Sequence, residues 1–113
     1  MAFKLAVSET YPHAVIVQLP GEKTPRKLEL DFYRLSQAQL TDLSARSRAG
    51  EIDDKQFGRE VVAGWSGKAV TDEAGDAIEF SASALEQLLE VYPVPASIVT
   101  AFYESIGGAK QKN

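Results

Sequence analysis

The chain predicts an α+β domain, an N-terminal antiparallel β-hairpin or small sheet followed by about four short helices. Three observations carry that expectation. Leu28, Leu30 and Phe32 alternate strictly with Lys27, Glu29, Asp31 and Tyr33, the period of a strand with one dry face and one wet face. Leu85, Leu88, Leu89 and Tyr92 recur at i, i+3, i+4 and i+7, the period of a helix face. Helix-start signals begin only at Ser36, so strands come first and helices afterwards.

In chain order, Phe3, Leu5 and Val7 alternate with Lys4 and Ala6, which predicts a first strand. Tyr11-Pro12-His13 reads as a break. Val15, Val17 and Leu19 then share one side of a strand over Ala14–Leu19, Pro20-Gly21 opens a polar turn, and Lys27–Tyr33 returns antiparallel to it. A lone hairpin is marginal in water, so this one needs a third strand or a helix against it. Ser36 with Gln39 makes a capping box for a helix carrying Leu40 and Leu43 and ending at Gly50. Asp53 with Gln56 repeats the pattern for a helix that buries Phe57, Val61 and Val62 and stops at Gly64.

Trp65, the only tryptophan, stands between glycines in Gly64-Trp65-Ser66-Gly67. Those glycines free the backbone to turn. The indole is then expected to swing inward as the structural anchor between the two halves of the chain. An acidic reverse turn, Asp72 to Asp76, and a short apolar strand-like piece, Ala77–Phe80, follow. Ser83, with Glu86 at the third position, is expected to cap the next helix, which Pro93 ends. Pro95 suits the first turn of the last one, whose broad apolar face is Ile98, Val99, Phe102, Tyr103 and Ile106. Gly107-Gly108 reads as its stop. One domain therefore covers 1–113: strand-rich over 1–35, helical over 36–107, with a fraying tail over 108–113.

The composition excludes several kinds of chemistry. There are no cysteines and a single histidine, His13, expected as a solvated loop residue, so neither a metal site nor a catalytic triad can be assembled around it. Gly64-Trp65-Ser66-Gly67 lacks the Gly-x-Ser-x-Gly spacing of a nucleophile elbow. Asp72–Asp76 lacks the ligand and glycine positions of a calcium loop. No phosphate-binding glycine loop occurs. The reading is no catalytic residues, no metal and no cofactor. A net charge of −4 opposes a nucleic-acid partner. No apolar run is long enough to span a membrane, and the N-terminus lacks the apolar core of a signal peptide, so the expected location is the cytoplasm.

The order of these pieces resembles a known family, the tail assembly chaperones of long-tailed bacteriophages and prophages. The residues that carry the likeness are Glu60 to Gly67, the acidic turn with Gly75, Phe80-Ser81, Leu85 to Leu89, and Ala101-Phe102-Tyr103 with the ending Gly107 to Asn113. Phe32 to Ser36, after the strand pair, adds to it. Tyr92-Pro93-Val94-Pro95 departs from the pattern. The resemblance implies a non-enzymatic protein that binds the very long tape measure protein, keeps it soluble, helps tail-tube protein polymerise around it, and is absent from the finished particle. Ile98, Phe102, Tyr103 and Ile106 are the candidate partner-binding residues, on a helix whose apolar face is wide enough to serve self-association into a homo-oligomer as well. The alternative readings are a structural tail component retained in the virion, which is usually β-rich, and a small enzyme of unknown type.

Overall fold

The computed structural model describes residues 2–107, which form an α+β fold. The expected fraying of 108–113 and the Gly108 stop lie outside the described residues. Strands β1 (Thr10–Val17), β2 (Arg26–Tyr33) and β3 (Val62–Gly64) make one antiparallel sheet in the order β1-β2-β3. The helices are α1 (Gln37–Arg48), α2 (Asp54–Val61), α3 (Ala82–Leu89) and α4 (Val94–Gly107).

The hairpin follows its alternation. β1 pairs with β2 from Thr10 opposite Tyr33 to Val17 opposite Arg26. Successive side chains point to opposite faces, so Val15, Val17, Leu28, Leu30 and Phe32 are buried while Ile16, Lys27, Glu29 and Tyr33 face out. β1 starts earlier than the alternation predicted, because Tyr11-Pro12-His13 is strand and not a break. Pro12 has no N–H to give a ladder, and an edge strand tolerates that. His13 is half-buried and stacked on Phe32, with ring centroids 6.0 Å apart, and is not a solvated loop residue. The strand expected over Phe3–Val7 does not form, since no neighbouring strand offers it a ladder.

The third strand comes from the segment read as the end of a helix. After Val61 the chain leaves the helical region at Val62 (φ −84°, ψ 114°). Val62 then stands opposite Phe32 and Gly64 opposite Asp31, with Ala63 as the extra residue of a bulge. β-Branched Val61-Val62 suits either state, and pairing with the open edge of β2 decides it. The 36–107 stretch is therefore not wholly helical.

Caps set the helix starts. Ser36 Oγ accepts from the Gln39 N–H at 3.1 Å while Gln39 Oε1 accepts from the Ser36 N–H at 2.8 Å, the full capping box. Asp53 Oδ1 accepts from the Gln56 N–H at 2.8 Å. The cap of α3 is Ser81, whose Oγ accepts from the Ala84 N–H at 3.0 Å, and not Ser83. α3 ends at Leu89, and Tyr92 stands exposed beyond it instead of completing the apolar face. Pro93 has no N–H with which to carry the helix on.

The core joins the sheet to α2 and α4. Phe102 of α4 meets Phe32 of β2 edge-on, centroids 5.4 Å apart, and Phe57 of α2 edge-on at 5.6 Å. Ile98 and Phe102, read from sequence as partner-binding, are fully buried here, because the sheet needs that face of α4 to cover it.

Ion pairs fasten α2 to its neighbours. Arg46 of α1 donates to both oxygens of Glu60 of α2, at 2.9 and 2.7 Å, and to Asp42 at 2.9 Å. Arg59 of α2 grips both oxygens of Glu86 of α3 at 2.7 and 2.8 Å, and Lys55 pairs with Glu90. Such forked pairs fix orientation as well as distance. The Arg46 guanidinium, with help from Gln56, holds the Glu60 carboxyl below the ordinary glutamate value despite some desolvation, and Glu60 in turn raises Arg46. A carboxyl whose folded value is depressed adds stability that is fully present above the unfolded value of about 4.3 and is lost as pH falls through the lower folded value. Glu60→Gln is therefore expected to flatten the acid limb of the stability curve, read as melting temperature in a pH series from neutral into that range. An acid limb as steep as in the parent would show that the pair adds nothing.

Candidate functional site

The loop between β3 and α3 is organised by Trp65. The residue is 7% exposed, its Nε1–H donates to the Ile78 carbonyl at 2.7 Å, and its ring meets that of Phe80 in a T-shaped contact at 5.0 Å and 88°. A buried indole needs a partner for its one donor, and Ile78 supplies it. The flanking glycines do different work. Gly67 takes a left-handed φ of 58°, which frees the turn. Gly64 is an ordinary strand residue beside the Phe80 ring, and a Cβ there would meet that ring at 3.5 Å, an ordinary contact. Trp65 thus ties the sheet to the chain entering α3, and the seat of Phe80 on it places the turn at Ser81.

Beyond Trp65 the acidic turn closes a small loop hairpin. Asp72 Oδ1 accepts from the N–H groups of Ala74 and Asp76 at 2.9 and 3.0 Å, and Gly75 turns with φ 85°. This is a side chain standing in for backbone turn bonds. Ile78 N–H donates to the Val70 carbonyl at 2.8 Å, and Thr71 bridges Ala77. Ala77–Phe80 therefore contributes one bridge and no strand.

That loop hairpin walls an apolar groove of about 380 Å³. Val17, Leu19 and Leu28, at the loop end of the β1–β2 hairpin, form its floor. Val70 and Ile78 line one side and Leu88 and Val91 the other. Arg26 and Lys27 stand at its rim, each already paired, with Glu22 at 2.6 Å and Glu29 at 3.3 Å. Sequence reading missed this groove. Its residues are scattered over three segments, and only the fold brings them together.

A second apolar surface lies on the last turns of α4. Tyr103 and Ile106 remain 37% and 42% exposed. Tyr103 is positioned rather than loose: its hydroxyl shares a 3.0 Å hydrogen bond with Ser44, and its ring lies 5.6 Å from Phe57. The four residues proposed for partner contact thus divide by helical phase into Ile98 and Phe102 inside and Tyr103 and Ile106 outside.

Among the described residues, no three His, Cys, Asp or Glu side chains come together as a metal site, and no helix is long and apolar enough to cross a membrane. No buried side-chain nitrogen or oxygen there lacks a hydrogen-bond partner. Two places among the described residues present apolar surface, the groove and the outer face of α4.

Trp65→Ala is expected to cost about 3–5 kcal/mol, the range for emptying a large aromatic from a core. Trp65→Phe is expected to cost less, keeping most of the burial while leaving the Ile78 carbonyl without its donor. Chemical denaturation of both variants checks this, and an unchanged midpoint for Trp65→Ala would remove the ring from its structural role.

Comparisons with protein-family models, with curated proteins and with solved structures found no match to this chain.

Proposed function

We propose that this chain is a non-enzymatic tail assembly chaperone of a long-tailed bacteriophage or prophage, working in the cytoplasm of the bacterial host. Its client on this reading is the tape measure protein, whose coating by tail-tube protein it assists. The support is the resemblance carried by Glu60–Gly67, the Gly75 turn, Leu85–Leu89 and the end of α4. The observation that carries it in the structure is the exposed pair Tyr103 and Ile106, spaced i, i+3 on a helix whose other face is locked into the core. An i, i+3 pair is the repeat with which one helix reads the apolar stripe of another. A long helical client exposes such stripes before assembly, when they favour aggregation. The acidic exterior, at a net charge of −4, keeps the loaded complex in solution.

The test is co-expression with a tape measure protein encoded next to this chain. The client is expected to be more soluble with the chain than without it and to co-purify with it. A double variant, Tyr103→Ser with Ile106→Ser, is expected to lose most of that gain while melting as a folded domain. Binding driven by apolar burial is expected to change little with added salt. Equal client solubility with and without the chain, and no recovered complex, would overturn the reading. Retention of the chain in purified particles would favour a structural tail component instead.

A further inference from the structure

The stretch Phe3–Val7 has an apolar side chain at every second position, and its own chain covers them little: Phe3 is 83%, Leu5 90% and Val7 58% exposed. Exposed apolar residues scattered singly need no explanation, but three at alternate positions of one extended stretch form a surface. The root of that arm is fixed. Arg34 Nε donates to the Ser8 carbonyl at 2.8 Å, and the Arg34 backbone N–H donates to the Glu9 carbonyl at 2.8 Å. Ser8 and Glu9 are thereby held beside Tyr33, at the end of the β1–β2 hairpin opposite its loop.

The apolar groove lies at the other end, floored by Val17 and Leu28. From Ser8 back to Phe3 a fully extended backbone covers about 17 Å. From Thr10 to Val17 the strand itself covers about 23 Å. Folded straight back along β1, the arm would bring Phe3 level with Val15 at best, with Leu5 level with about His13 and Val7 near Tyr11. The three side chains cannot enter the groove of their own chain, and that limit does not apply to another copy. The rim does not ask for an acidic partner either, because Arg26 and Lys27 are engaged by Glu22 and Glu29. Lys4, on the opposite side of the arm from Phe3 and Leu5, can stay in water.

We propose that the groove receives the Phe3–Val7 arm of a second copy of this chain, so that copies associate by arm exchange. Phe3, Leu5 and Val7 supply the apolar contacts, and the walls at Val70, Ile78, Leu88 and Val91 close over them. This does not rest on the chaperone reading, and no client enters its test.

Two measurements decide it. Sedimentation equilibrium of the full chain is expected to show mass rising above that of one chain with concentration. A variant with Phe3→Ser, Leu5→Ser and Val7→Ser is expected to stay at the mass of one chain with an unchanged melting curve, since the arm lies outside the core. The chain has no cysteine of its own, so introduced ones report cleanly. Mixing Leu5→Cys protein with Val91→Cys protein under mild oxidation is expected to give a cross-linked pair of unlike chains. One-chain mass at every concentration up to the solubility limit would overturn the proposal. So would association that survives in the arm variant, failure of the mixed cross-link, or closure of a Leu5→Cys/Val91→Cys double variant within a single chain.

Discussion

The edge-to-face contacts of Phe102 are the constraint on which the other elements depend. One ring on α4 touches Phe32 of β2 and Phe57 of α2 at once, so the last helix, the hairpin and the central helix cannot be placed independently. Edge-to-face geometry sets the angle between rings as well as their separation, so the contact orients elements as well as burying them. One polar bond then fixes where α4 lies along the sheet. Tyr11 and Ser105 share a 2.7 Å hydroxyl bond, which holds the end of α4 at the start of β1. Val94, at its beginning, lines the groove at the far end of the same hairpin.

α2 is the element most confined by this arrangement. Phe57, Gly58 and Val61 are buried, and a Cβ on Gly58 would approach Leu89 Cδ2 to 2.9 Å. Glycine in a helix interior costs about 1 kcal/mol against alanine. Here it permits α3 to lie close enough for Leu89 to reach the core. The forked pairs from Arg46 to Glu60 and from Arg59 to Glu86 then clamp α2 to α1 on one side and α3 on the other. Surface ion pairs are individually weak. Their contribution in this fold is to hold direction: α2 must end where Val62 can leave it and pair with β2.

The sequence was legible where a signal is local. Alternation from Lys27 to Tyr33 identified β2, and Ser36-x-x-Gln39 and Asp53 identified two helix starts, because strand period and capping are decided within a few residues. It was illegible where the choice is made by a distant partner. Val62–Gly64 carries nothing that separates a fraying helix end from a short strand, and the open edge of β2 settles it. Ser83, with Glu86 at its third position, is the cap the local pattern favours, and the chain caps at Ser81 instead, next to the Phe80 ring packed against Trp65. Phe3–Val7 has the pattern of a strand but no neighbour to pair with, so pattern without a ladder gave a false strand. For the candidate site, the α4 face was visible from its width, yet its division into inner and outer residues required knowing which side faces the sheet. The groove could not be read at all, because Val17, Val70 and Leu88 meet only after the chain has turned back on itself twice.

The two apolar surfaces sit at opposite ends of one hairpin, and that separation follows from how α4 runs. Its first residue borders the groove at the Val17 end of β1, while Ser105 is bonded to Tyr11 at the other. Tyr103 and Ile106 therefore share an end of the molecule with the root of the Phe3–Val7 arm, where Arg34 holds Ser8 and also lies 5.0 Å from the centre of the Tyr11 ring. An arm seated in another copy would leave from beside the α4 face of its own chain and finish at the remote end of its neighbour. Filling the groove leaves the Tyr103–Ile106 face uncovered, since the whole length of β1 lies between them. On the two proposals, contacts between copies and contacts with a client would use different surfaces, and the packed pair of β1 and α4 is what would keep them apart.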